Sequence, residues 1–269
     1  MDHAIQGSVV IWGLLSVALT QAAQGDRDAG KGRDIVTREA VCAWADRPPV
    51  LDGKLDDPCW KDAVPITRFA SFWDKTPRAG TTAYLVWDDQ ALYYAGAMTD
   101  AEVRAFGTGR NDTLWDGDVF ELFFKPSTER PEYCEFQANP KGLIFEMAFR
   151  RRGDHPKSFQ DAPVLGHQAA VAVDGTLDHP GDRDRGWTVE GRIPWSAFAL
   201  AGGRPEPGAS WRFAICRYDY GPEGTKPVLM SSAPLSVSSF HRYEDYGTLH
   251  FEGPKRHGRE AVPRAPAAP

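Results

Sequence analysis

Apolar periods of 3.6 residues never run long in this chain; short runs of β-branched and aromatic residues recur instead, each closed by a turn signal. Residues 81–87 and 91–99 flank Asp88-Asp89-Gln90, which reads as two strands about a tight hairpin. Residues 133–139 and 143–149 flank Asn139-Pro140-Lys141-Gly142, where Pro in second place and Gly in fourth suit a type I turn. Further strands are predicted over 169–173, 187–193, 211–218 and 248–251. Short helical turns are predicted over 57–63, where Pro58 follows Asp57 as N-cap, and over 194–198. The run 118–124, DVFELFF, is apolar on both faces and reads as a strand covered on both sides. A single acid, Glu121, stands in its interior, and Trp115 precedes it between Leu114 and Asp116. Many strands joined by short turns bury their faces by stacking sheets. The expected fold is therefore all-β, an antiparallel, jelly-roll-like β-sandwich with one or two short helices.

Composition agrees. At 42% hydrophobic and 12% aromatic, 269 residues supply one large core or two modest ones. A net charge of −6 argues against nucleic acid as a partner. The basic run Arg150-Arg151-Arg152 reads as a solvated strand end or loop. Trp60, Trp87, Trp187, Trp195 and Trp211 fall in or beside predicted elements and are expected in the core.

At the N-terminus, residues 8–19 are apolar, too short for a comfortable membrane span, and lead into small residues through Gly25. Residues 1–23 thus read as a signal peptide cleaved after Ala22 or Ala23, although Met1-Asp2-His3 lacks the usual positive charge. This predicts a secreted or periplasmic protein with no membrane association once the signal is gone. Residues 24–39 read as a linker, 40–253 as one domain, and 254–269, rich in Pro, Ala and Arg, as a disordered tail. Four cysteines allow three pairings. Cys42 and Cys59 could close a short loop, whereas Cys134 and Cys216, inside strands, suit a buried thiol as well as a bridge.

In a strand, alternate residues share a face. Cys134, Phe136 and Ala138 then form an apolar face; Tyr133, Glu135, Gln137 and Asn139 form a polar one. If this strand pairs with 118–124, Glu121, Gln137 and Asn139 converge on one patch. A carboxylate with two carboxamides offers the donors and acceptors that sugar hydroxyls require, and Trp115 at the rim would supply a flat apolar platform. A solvated polar face with a structural Trp is the alternative.

Four segments in order carry a resemblance: Leu51-Asp52-Gly53-Lys54-Leu55-Asp56-Asp57-Pro58-Cys59-Trp60; Trp87-Asp88-Asp89-Gln90-Ala91-Leu92-Tyr93; Trp115-Asp116-Gly117-Asp118-Val119-Phe120-Glu121-Leu122-Phe123; and Phe240-His241-Arg242-Tyr243-Glu244-Asp245-Tyr246-Gly247-Thr248-Leu249. Together they resemble the family 9 carbohydrate-binding modules, across nearly the whole globular part. The resemblance implies a non-catalytic domain that holds a mono-, oligo- or polysaccharide and accompanies polysaccharide breakdown. It carries one stacking ring onto Trp115, a second onto Phe240, and the hydroxyl-reading groups onto Glu121, Gln137 and Asn139, with His241 beside them. Phe240 stands where relatives have Trp, and Gln137 where some have Arg. The resemblance also implies a structural calcium, for which Asp52, Asp56, Asp57, Asp116 and Asp118 are the candidate ligands.

Two other functions compete. A glycoside hydrolase needs two carboxyl groups facing one bond. Asp118 and Glu121, three apart in a strand, face opposite sides, whereas Glu135 could approach Glu121. A haem-binding electron-transfer domain of similar fold needs His or Met axial ligands, and no spacing among Met98, Met147, Met230 and His241 selects a pair.

Overall fold

The computed structural model describes residues 35–222 and 225–255. The expected signal peptide, most of the linker and nearly all of the tail lie outside them. Among the described residues, two stacked sheets are built from thirteen strands. In chain order these are β1 (Glu39–Trp44), β2 (Phe69–Ser71), β3 (Pro77–Arg78), β4 (Thr81–Trp87), β5 (Ala91–Thr99), β6 (Val119–Lys125), β7 (Tyr133–Ala138), β8 (Ile144–Phe149), β9 (Gln168–Asp174), β10 (Gly186–Pro194), β11 (Ser210–Asp219), β12 (Val228–Ser231) and β13 (Gly247–Phe251). One α-helical turn, α1 (Pro58–Asp62), and short 3-10 turns at Leu114–Asp116, Trp195–Ala201 and Tyr243–Asp245 complete the set.

The first sheet runs β8-β7-β6-β11, all antiparallel. The far edge of β11 is shared: its first half pairs with β13 and its second with β12, which continues to β2 and β3. The second sheet is β4-β5-β10-β9, again antiparallel. Strand β1 departs from the expected antiparallel pattern. Glu39–Cys42 pair parallel with β13, and Ala43 and Trp44 pair parallel with β4, so one strand passes from the first sheet to the second. The fold also begins before residue 40, since Val36 and Thr37 are already buried.

The core lies between the sheets. Phe120, Leu122 and Phe124 of β6 and Phe136 of β7 meet Trp87, Tyr94, Trp187 and Ile193. All five tryptophans expected in the interior are buried. The opposite face of the first sheet is apolar too: Val119, Phe123, Tyr133, Phe145, Phe149, Ala214 and Cys216 pack under Phe72, Leu114, Leu235 and Phe240 from the loops. This second cover is why DVFELFF carries apolar residues on both sides.

Two of the motifs that carry the family resemblance are structural. In the first, Glu190 of β10 accepts the backbone N–H groups of Asp52 and Gly53, at 3.1 and 2.9 Å, and the Trp60 indole N–H at 2.6 Å. Gly53 has φ +81°, and a Cβ there would lie 2.6 Å from the Val171 carbonyl carbon. In the second, Asp88 accepts the N–H groups of Gln90 and Ala91 and the Tyr93 hydroxyl, closing the β4–β5 hairpin. All four cysteines are free thiols. The Cys42–Cys59 bridge does not form, because Cys42 is sealed in the inter-sheet core whereas Cys59 packs with Trp60 outside the second sheet.

Candidate functional site

Strands β6 and β7 pair with Glu121 directly opposite Gln137. Alternation then puts Glu121, Phe123, Glu135 and Gln137 on the outer face of the first sheet. There they form the floor of a cavity of about 470 Å³. Its walls include Trp115, Phe145, Phe149, Phe159, Tyr218 and the segment Ser238–His241. Five of the six ligand-contact residues expected from the sequence, Trp115, Glu121, Gln137, Phe240 and His241, thus line one cavity.

Asn139 does not join them. Its amide nitrogen donates to Phe106 O at 2.7 Å, and its carbonyl accepts the Lys141 and Leu143 N–H groups at 3.1 and 3.0 Å. The side chain is spent closing the β7–β8 turn and is fully buried.

Trp115 sits on the 3-10 turn Leu114–Asp116, partly exposed. The Tyr220 hydroxyl donates to its carbonyl at 2.8 Å, and the ring meets Phe145 edge-on at 5.6 Å. Gly117, just after this turn, lets the chain lie against the 105–106 backbone, since a Cβ there would stand 2.6 Å from Phe106 N. Phe240 is only 5% exposed and is held edge-on by Phe72 and Tyr218. It supplies an apolar wall rather than a free-standing plate. His241 Nδ1 hydrogen-bonds the Tyr133 hydroxyl at 3.0 Å, and burial lowers its pKa to about 4, so the ring is neutral.

The polar floor is incompletely satisfied. Gln137 Nε2 donates to Glu135 Oε1 at 2.6 Å, which leaves Gln137 Oε1 without a partner; Glu121 Oε2 also has none. Both side chains are at least 98% buried. Burial, and then the Glu135 charge, push the Glu121 carboxyl well above the usual range. Burial pushes Glu135 up to about 7, against the lowering effect of its hydrogen bond from Gln137. Unmet acceptors at the bottom of an aromatic cavity are what a ligand rich in O–H or N–H donors would satisfy. Glu135, Tyr218, Phe145, Phe149 and Phe159 were not singled out as ligand contacts from the sequence. Alternation puts Glu135 on the polar face within reach of Glu121, as the hydrolase alternative has it, and the β6–β7 register makes the two acids diagonal neighbours.

The expected calcium ligands do not assemble. Asp52 pairs with Lys54, Asp57 caps the Val50 N–H, and Asp116 accepts the Thr113 hydroxyl. Asp56 belongs to no acidic cluster among the described residues. Asp118 does cluster, with Asp100 and Asp219, their oxygens within 4.8 Å of one another. There the Arg217 guanidinium already pairs with Asp100 at 3.1 Å and with Asp219 at 3.5 Å. Both Asp118 oxygens are taken by the Arg104 and Tyr220 N–H groups. Arg217 thus already pairs with two of the three acids, and backbone N–H groups hold the third. The methionines weighed as haem ligands are dispersed. Met98 and Met230 lie in the inter-sheet core, and Met147 lies in the outer apolar layer.

Comparison with solved structures finds the same fold in a putative carbohydrate-binding protein from Bacteroides uniformis. The TM-score is 0.62 at 20% identity, covering 80% of this chain and all of that one. A family 9 carbohydrate-binding module from Caldicellulosiruptor kristjanssonii, solved with cellotriose, matches at TM-score 0.54 and 16% identity, covering 86% of this chain and all of that one. Among curated proteins, exoglucanase XynX of Acetivibrio thermocellus and endo-1,4-beta-xylanase A of Thermoanaerobacterium saccharolyticum are each 26% identical over 157 residues, or 58% of this chain. The match spans only 12% of the length of either relative. The model of the carbohydrate family 9 binding domain-like family matches residues 51–254, from the Glu190-anchored loop through β13. The chain belongs to that family.

Proposed function

We propose that this protein is a secreted or periplasmic, non-catalytic saccharide-binding domain. In this reading the sugar ring lies against Trp115, with Phe240 closing the cavity as an apolar wall. The sugar hydroxyls donate to Glu121 and to the Gln137 carbonyl. One observation carries it: a partly exposed indole and two buried, unpartnered oxygens line one cavity on one sheet face. The names of the structural neighbours and curated relatives, a module with cellotriose and two polysaccharide-degrading enzymes, support the ligand class and the role beside polysaccharide breakdown.

Affinity should lie in the millimolar to micromolar range, about −4 to −8 kcal/mol. Trp115→Ala should weaken binding at least about tenfold, by removing the stacking platform, while shifting the melting temperature little, since the ring is partly exposed. Titration calorimetry against a panel of soluble sugars tests this. Unchanged affinity in the variant would reject the site.

A glycoside hydrolase is the second reading, and the pairing of Glu121 with Glu135 is what favours it. The geometry opposes it. The two acids are diagonal neighbours on the same sheet face, so they meet a ligand from one side, whereas hydrolysis needs carboxyls flanking the scissile bond. No turnover of aryl glycosides is expected.

A further inference from the structure

The floor of the cavity concentrates carboxyl oxygens, and burial raises the pKa of both acids, Glu121 well above the usual range and Glu135 up to about 7. Two carboxyl groups, Glu121 and Glu135, stand side by side with at most 4% exposure each. No lysine or arginine is among the residues that line the cavity. The single amide nitrogen on the floor is already spent on Glu135, and the atoms left open, Glu121 Oε2 and Gln137 Oε1, are both oxygens. Of the two histidines that line the cavity, His241 is kept neutral by burial and has its Nδ1 occupied by Tyr133. A neutral sugar hydroxyl would fill the open oxygens while leaving both acids protonated, whereas a cation beside them favours the ionised carboxylate. An ammonium group donates only, and it would neutralise one carboxylate while satisfying several oxygens at once. The aromatic walls around it would favour a cation further.

We propose that the cavity selects a hexose bearing a protonated amine, seated with its ammonium between Glu121, Glu135 and the Gln137 carbonyl. The inference rests on the saccharide reading above and narrows it to amino sugars. Buried acid pairs contribute most when a charged partner satisfies both.

Matched pairs of sugars isolate the amine from the ring. Calorimetric titrations at about pH 7 would compare glucose with glucosamine, galactose with galactosamine and mannose with mannosamine, each beside its N-acetyl derivative. The amine should bind about tenfold or more tighter than the hydroxyl and N-acetyl forms in at least one pair. Glu135→Gln should collapse that ratio towards one. Equal or weaker binding of the amine in every pair overturns the amine inference; Trp115-dependent binding of the neutral sugars would then leave the saccharide reading standing. A ratio that survives Glu135→Gln also overturns the seat assigned here. Binding of no sugar in any pair removes both readings. Should Glu135→Gln fail to fold, as judged by its thermal melt, the ratio in the unaltered protein decides.

Discussion

Glu121 and Glu135 line the cavity at the expense of the fold. A carboxyl whose pKa is raised on folding takes up protons in the native state that the unfolded chain has already released, so stability falls as pH rises. For Glu135 the window runs from about 4.5, its ordinary value, to about 7. Below that window the group is protonated in both states and carries no penalty. Above it, the buried carboxylate costs on the order of 3 kcal/mol. The melting temperature without ligand should therefore decline between about pH 5 and about pH 8. Asp118, raised to about 8 chiefly by burial, and Asp100, raised to about 6 chiefly by burial, contribute in the same direction. Comparison with Glu135→Gln isolates the contribution of the cavity: its melting curve should be the flatter of the two across that range. An equally steep variant would show that Glu135 does not titrate there.

The loop 51–57 and helix α1 illustrate how one side chain fastens an irregular segment to a sheet. Glu190 collects three N–H donors that would otherwise be buried without partners, and Gly53 lets the backbone lie against β9. Glu190→Gln keeps the shape but supplies one acceptor oxygen and two N–H donors, which face donors already in place. Such a loss inside a buried network costs about 2–4 kcal/mol. Gly53→Ala combines a left-handed backbone with contact against Val171 and should cost about 2 kcal/mol or more. Chemical denaturation measures both. Neither residue is among those that line the cavity on the first sheet, so affinity at a temperature where the variants are folded should match the unaltered protein. A large affinity change would mean that this loop communicates with the floor of the first sheet.

Strand β1 ties the two sheets together by pairing with β13 at one end and β4 at the other. Neither sheet can lose β1 without exposing the inter-sheet core. Unfolding followed by far-ultraviolet dichroism and by tryptophan fluorescence should accordingly coincide in one transition, and a chain starting at Ala45 should lose cooperative unfolding. Separate transitions would show that the sheets are independent. The same long-range pairing marks the limit of what residue order alone could show. Alternation in 118–124 and 133–139 is a local property, because backbone geometry points successive side chains to opposite faces. It was enough to separate the core face from the Glu121, Glu135 and Gln137 face, and turn residues located most of the strands. The short strands β2, β3 and β12 and the parallel strand β1 carried no period long enough to announce them. Asn139 shares the polar face by alternation, yet its amide is consumed by the adjoining turn and by Phe106, and both oxygens of Asp118 accept from the N–H groups of Arg104 and distant Tyr220. Which strands become neighbours, and which polar atoms find partners, depends on contacts between residues far apart in the chain. Those contacts form only when the sheets assemble, and they decided which of the candidate side chains stayed open to a ligand.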